Sequence, residues 1–150
     1  MKKPAAVIIN AETPNGYGVI VNLGRMGVRV YSLDSNAKTV TFLSKYAKRI
    51  LTPDIRDSEE AYIKFLINIG KKLDPKPVLF ITGDEMLLSL LKYKDRLEQY
   101  FHMPMAELQI VEKLAEKPLF YKMLDHYGVA YADTFYPQTV EDVKKREKES

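Results

Sequence analysis

The sequence predicts an α/β fold built on an open, parallel sheet. Three observations carry this. Short runs rich in β-branched residues recur at positions 5–10 (AAVIIN), 28–33 (VRVYSL) and 78–82 (VLFIT). The first and third are almost wholly apolar rather than alternating, the pattern of strands buried on both faces. Between them lie segments of helical periodicity, and a strand–helix–strand order with right-handed crossovers makes the strands parallel.

Taken in order, residues 5–10 form the first buried strand, and AETPNG, residues 11–16, carries turn chemistry. Val19, Ile20, Leu23 and Met26 follow helical spacing from Tyr17 onward, and Gly27 closes that helix. Residues 28–33 complete a β-α-β unit. Residues 36–46 leave two readings open, a short strand or a helical turn around Val40, Phe42 and Leu43. Residues 48–51 read as a third short strand ending at Thr52-Pro53. Residues 58–73 form the clearest helix, capped by Asp57 or Ser58, with Ala61, Phe65, Leu66, Ile69 and Leu73 as its apolar stripe. Pro75 and Pro77 stop it. VLFIT follows, and Gly83-Asp84 opens a helix carrying Leu87, Leu88, Leu90 and Leu91. Residues 95–101 read as helical until His102-Met103-Pro104. Two more short helices are predicted at 108–115 and 118–126, the second closed by Gly128. Residues 129–136 are extended in character, and Thr139 caps a last helix with no apolar residue after Val143.

Composition bounds the function classes. The 150 residues suit one domain, and 46% hydrophobic content supplies a core. No run approaches the roughly 20 apolar residues of a membrane span, and the apolar stretch after Lys3 is too short for a signal-peptide core. There is no cysteine, which excludes disulfides, thiolate metal sites and a cysteine nucleophile. A cytoplasmic protein is expected. His102 and His126 are far apart, so no metal cluster is expected. The net charge of +3 is mild and spread along the chain, so neither nucleic acid nor a membrane is expected as a partner.

In open parallel sheets ligands bind at the carboxyl ends of the strands. That rule selects the loops at residues 10–18 and 82–85. Asn15, Gly16 and Gly18 can present backbone N–H groups to a phosphate or carboxylate. Equally, Asn-Gly is a common turn and Gly18 a packing glycine. Gly16-Tyr17-Gly18 is half of the dinucleotide fingerprint G-x-G-x-x-G, but Val21 stands at the third glycine, and Asp34 follows thirteen residues later. The incomplete motif weighs against a nicotinamide or flavin site. Thr82, Asp84 and Glu85 can accept from a substrate amine or hydroxyl, or simply cap a helix and complement its dipole. Asp34 fits a ribose hydroxyl or an ordinary turn.

The order of the pieces carries a further signal. N-G-Y-G is followed by L-G-R-x-G-V-x-V-Y and an aspartate, then by F-I-T-G-D-E and a Leu-rich helix. Residues 111–134 then read V-E-K-L-A-E-K-P-L-F-Y-K-M-L-D-H-Y-G-V-A-Y-A-D-T. The chain resembles the amino-terminal part of ATP-grasp ligases, in particular the carbamoyl-phosphate-synthase-like carboxylate–amine ligases, over nearly its whole length. The resemblance implies a Rossmann-like pre-ATP-grasp domain over residues 1–107 and an incomplete beginning of the ATP-grasp domain over 108–150. It implies that Asn15, Gly16, Gly18, Thr82, Asp84 and Glu85 bind substrate, and that Lys117 contacts ATP phosphates. Glu116 stands where the family has Asp, and Ala130 and Ala132 replace its two prolines.

The family chemistry implied is phosphorylation of a carboxylate by ATP with Mg²⁺, then attack by an amine on the acyl phosphate. Phosphoryl transfer needs several cations around the developing charge, and one lysine does not provide them. No catalytic residue or metal ligand is expected within the chain. It is expected to be a fragment or accessory remnant, inactive alone. A small carboxylate or amine substrate and the rest of the grasp domain are its expected partners, with a homodimer possible through apolar residues left uncovered between 111 and 136. A free-standing nucleotide or small-anion module, or a docking partner, is the alternative.

Overall fold

The computed structural model describes residues 2–137 and 139–149. The chain divides into two compact units, Met1–Leu108 and Gln109–Ser150. In the first unit the elements run β1 (Ala6–Ile9), α1 (Pro14–Arg25), β2 (Val30–Asp34), a 3₁₀ turn (Val40–Leu43), β3 (Ala47–Leu51), α2 (Glu59–Lys71), β4 (Val78–Ile81), α3 (Asp84–Leu91) and α4 (Lys94–Leu97). The four strands form one parallel sheet in the order β3-β2-β1-β4. Ile8 at its centre lies between Ser32 of β2 and Phe80 of β4.

The sheet buries both faces. On one, Val7, Ile9, Leu33 and Leu79 pack with Tyr62, Ile63 and Leu66 of α2, Leu90 of α3, and Leu97, Phe101 and Met103. On the other, Ala6, Ile8 and Val30 pack with Ile20 of α1. This alternation along β1 is why its sequence is apolar at every position.

The helix ends follow local chemistry. Thr13 caps α1 by accepting the Gly16 N–H at 3.1 Å, and Pro14 occupies the first turn, where its missing N–H costs nothing. At the other end Gly27 adopts φ +72°, with Gly27 N–H donating to Gly24 and Val28 N–H to Leu23, a Schellman closure. Ser58, rather than Asp57, caps α2 by accepting from Ala61 N–H at 3.2 Å.

Three expectations about local structure need correction. Helix α1 begins at Pro14, so Asn15, Gly16 and Gly18 sit in its first two turns and not in a loop. The buried face of α2 is Tyr62, Ile63, Leu66 and Gly70, while Ala61 is exposed. The helix is turned because Gly70 lets it approach closely: a Cβ there would stand 2.7 Å from Tyr100 Cβ. Of the two readings open for residues 36–46 the helical turn is the one observed, a 3₁₀ turn held by the buried hydroxyls of Ser32, Thr39 and Thr41 at 3.1–3.2 Å. The helix expected at 95–101 is a single turn, after which His102 forms a bridge beside Val78 on the outer edge of β4.

The second unit carries the rest of α5 (Leu108–Ala115), then α6 (Lys117–His126) and α7 (Val140–Glu149). Gly128 at φ +63° closes α6 with the same Schellman pair, Gly128 N–H to Asp125 and Val129 N–H to Leu124. Thr139 and Asp142 cap α7 reciprocally, side chain to backbone N–H in both directions. Tyr121 stacks against Tyr131 and Tyr136, with centroids 4.7 and 5.8 Å apart.

Candidate functional site

The chain runs outward from β1 to β2 and β3, then crosses back to place β4 on the other side of β1. The carboxyl ends of β1 and β4 therefore flank the switch point, where parallel sheets open a crevice. Asn10 ends β1 in the left-handed region, φ +53°, which asparagine tolerates better than most residues. Its amide packs on Gly83, where an added Cβ would lie 2.6 Å from Asn10 Nδ2. The Thr82 hydroxyl shares its proton between the carbonyls of Ile9, at 3.0 Å, and Asn10, at 2.8 Å. The Thr13 hydroxyl lies 3.4 Å from it. Thr82 thus ties the two loops into one wall.

Each predicted residue has a definite place. Gly16 is buried, and a Cβ on it would stand 2.6 Å from the Ala11 carbonyl, so glycine there lets α1 pack closely on the turn that follows β1. Nothing lies within 4 Å of a Cβ added at Gly18. Asn15 and Gly18 share a shallow surface depression with Val19, Leu23 and Phe80. Asp84 and Glu85 are exposed in the first turn of α3, whose cap position is Gly83 without a side-chain bond. Neither Thr82 nor Asp84 caps the helix, because the Thr82 hydroxyl is engaged across the switch point.

The start of α1 offers little to an anion. Pro14 has no N–H, Gly16 N–H is taken by the Thr13 hydroxyl, and Tyr17 N–H by the Thr13 carbonyl. Only Asn15 N–H is left from the first turn. At α3 the first-turn side chains are both acidic. The switch point is therefore better suited to a group that carries positive charge or donates hydrogen bonds.

Beside it, at the carboxyl ends of β1, β2 and β3, is a small cavity of about 30 Å³ lined by Asn10, Asp34, Ser35, Thr52, Pro53, Asp54, Ile55, Tyr62 and Met86. Asp34 is only 6% exposed. Its Oδ1 accepts from Asn36 N–H at 2.9 Å, whereas Oδ2 has no hydrogen-bond partner. Burial raises the Asp34 pKa above the usual carboxylate value; the Asn36 N–H opposes the rise, the Glu12 charge adds to it, and the backbone N–H groups of Glu12 and Ser35 oppose it more weakly. Tyr62 is pushed up strongly, first by burial and then by the Asp34 charge. At the rim, the bond from the Arg56 side chain holds Asp54 down to about 2.

Of this set the sequence points to Asp34 and to Asn10, which opens the loop at residues 10–18. Thr52 and Asp54 follow the third strand, and the carboxyl-end rule selects them once that strand is recognised. Tyr62 and Met86 come from helices and had no signal. Lys117 belongs to the second unit, exposed at the first turn of α6. Among the described residues no group of three or more His, Asp or Glu side chains lies together to hold a metal ion. Among the same residues no helix is long and apolar enough to cross a membrane.

No protein-family model matches the chain, and no curated protein sequence matches it. The fold is similar to the crystal structure of an L-amino acid ligase from Bacillus licheniformis. The TM-score is 0.66 at 13% sequence identity, over 99% of this chain and 42% of the ligase. The chain spans well under half the length of that protein, and at this identity the likeness establishes the shared α/β fold.

Proposed function

We propose that this chain is the N-terminal, substrate-binding part of an ATP-dependent carboxylate–amine ligase of the ATP-grasp kind. The observation that carries the reading is the likeness in fold of almost the entire chain to part of an enzyme named as an L-amino acid ligase. A plain dinucleotide-binding module has no need of the helices at 108–126. The acidic character of the switch point agrees with a substrate that presents an amine.

In this reading Thr82, Asp84 and Glu85 receive the amine, with Asn15 and the surface opened by Gly16 and Gly18 beside them. Lys117 contributes to a phosphate site completed by residues outside the chain, which also hold Mg²⁺ and ATP. In the complete enzyme an acyl phosphate forms, and amine attack gives an amide and releases phosphate. The chain alone is inactive. It acts in the cytoplasm, and exposed Leu114, Leu119, Val129 and Phe135 are covered by the rest of the grasp domain or by a second copy.

Titration of the 150-residue chain with Mg·ATP and with NAD(H), and an amide-resolved NMR titration with L-amino acids, tests the proposal. Weak or absent ATP binding, no NAD(H) binding, and amino-acid shifts confined to residues 82–85 and 15–18 are expected. Tight NAD(H) binding overturns it, and so does an unresponsive 82–85 segment. Tight Mg·ATP binding favours the second reading, a free-standing nucleotide module, which the closed core of the first unit supports.

A further inference from the structure

The cavity beside the switch point has a chemistry that the ligase reading does not use. None of Asn15, Gly16, Gly18, Thr82, Asp84 or Glu85 lines it. A volume of about 30 Å³ admits one group the size of a water molecule. The polar residues of its wall are Asn10, Asp34, Ser35, Thr52, Asp54 and Tyr62, with no lysine, arginine or histidine among the lining residues. Two of the six are carboxylates, and the Asp34 carboxylate is 6% exposed with an unpartnered Oδ2. An ionised oxygen buried without a partner is costly, and a positive group within reach removes the cost.

We propose that this cavity is a binding site for a single positively charged group of one-atom size, an ammonium nitrogen or a monovalent cation, with Asp34 as its principal ligand. An anion is excluded by the two carboxylates. A divalent ion is disfavoured by charge: only Asp34 and Asp54 bring carboxylates to the lining, and Asp54 is already paired with Arg56. Arg56 holds Asp54 from the solvent side, so Asp54 supplies field at the rim while Asp34 meets the ion directly. The Tyr62 hydroxyl, set beside Thr52, gives a neutral oxygen to the same space. Asn10 connects this site to the crevice, because its amide also packs on Gly83. The proposal stands independently of the ligase reading.

The test is thermal unfolding of the full chain at pH 8, in chloride salts of ammonium, potassium and tetramethylammonium at one ionic strength. Ammonium and potassium are expected to raise Tm by about 2–4 °C over tetramethylammonium, which is too large to enter, at concentrations several times Kd. Asp34→Asn is expected to abolish the difference while retaining the Asn36 bond through its amide oxygen. Methylammonium and glycinamide separate the two sources of the same chemistry. If they also stabilise, the site takes an amine end of a small molecule; if only the inorganic ions do, it holds a resident cation. Should Asp34→Asn fail to fold, crystals of the wild-type chain soaked in thallium(I) provide the second measurement, with an anomalous peak expected beside Asp34. Equal Tm in all three salts overturns the proposal, and so does a wild-type cavity that takes only water.

Discussion

The two units of this chain treat their apolar residues in opposite ways. In the first, apolar side chains disappear from solvent on the two faces of one sheet, with Val7, Ile8, Ile9, Leu33, Leu66 and Phe101 fully buried. In the second, neither α5 nor α6 has a single buried residue, and Leu114, Leu119, Tyr127, Val129 and Phe135 are exposed. Both units have well-formed caps and amphipathic sequences. The difference teaches that periodicity and capping are enough to define a helix, whereas a core requires a second surface to close on it.

The comparison is broken most directly by paired core substitutions. Leu66→Ala in α2 is expected to cost about 2–5 kcal/mol, and Leu114→Ala in α5 less than about 0.5 kcal/mol, both read from urea denaturation of the whole chain. Similar losses at the two positions would show that the second unit is covered in solution. A smaller contrast lies within α1. Gly24→Ala places a Cβ 2.4 Å from Tyr46 Cβ, and Gly16→Ala places one 2.6 Å from the Ala11 carbonyl. Each is expected to destabilise by about 1–3 kcal/mol. Gly18→Ala meets nothing and is expected to stabilise by up to about 1 kcal/mol through helix propensity.

The caps sharpen the comparison further. Thr13→Ala is expected to cost about 1 kcal/mol of global stability. Thr139→Ala, although it removes an equivalent cap, is expected to change far-UV circular dichroism without moving the main unfolding transition. A shift of that transition by Thr139→Ala would join α7 to the cooperative unit.

Titration gives the smallest effects. The folded-state pKa of Asp34 is raised, so folding favours its neutral form. That contribution is present below the unfolded value of 3.8 and is lost as pH rises through the folded one. In tetramethylammonium buffer Asp34→Asn is therefore expected to match the wild type near pH 3 and to exceed its Tm at neutral pH. A wild type that stays ahead at neutral pH would mean that ionised Asp34 is already compensated within the chain. Asp54 has the opposite sign, held down to about 2 by Arg56. Its contribution exists above 3.8 and fades as pH falls toward about 2. Arg56→Ala is expected to return the Asp54 titration toward 3.8 by carboxyl NMR with almost no change in Tm, since the pair is solvated.

How much of this was legible in advance depends on the range of the interaction. The strands AVII and VLFI announce themselves because burial on both faces forces every position to be apolar. Gly27 and Gly128 were readable because a positive φ at a helix end is a local demand of the backbone. The two loops were readable because each follows the carboxyl end of a buried parallel strand, whereas their meeting at a switch point depends on the strand order. The start of α1 was misread, since Asn-Gly suits a turn as well as a first helical turn, and only the Thr13 cap decides between them. The face of α2 was misread because Gly70 carries no hydropathy and its role depends on Tyr100 and Phe101, thirty residues away.

By itself, then, the sequence determined the α/β class, the parallel strands, most helix ends and the pair of loops that meets at β1 and β4. Those features depend on backbone sterics, on side-chain periodicity and on burial averaged over a segment, all of which act within a few residues. Only the tertiary structure decided that Thr82 closes the wall instead of capping α3, that Gly16 packs rather than cradles, and that Asp34 is buried with one oxygen unmet beside Tyr62 and Asp54. Each of these depends on which atoms the fold brings within a few ångströms across long stretches of chain. Hydrogen bonding, close contact and desolvation have no other range, so no local pattern records them.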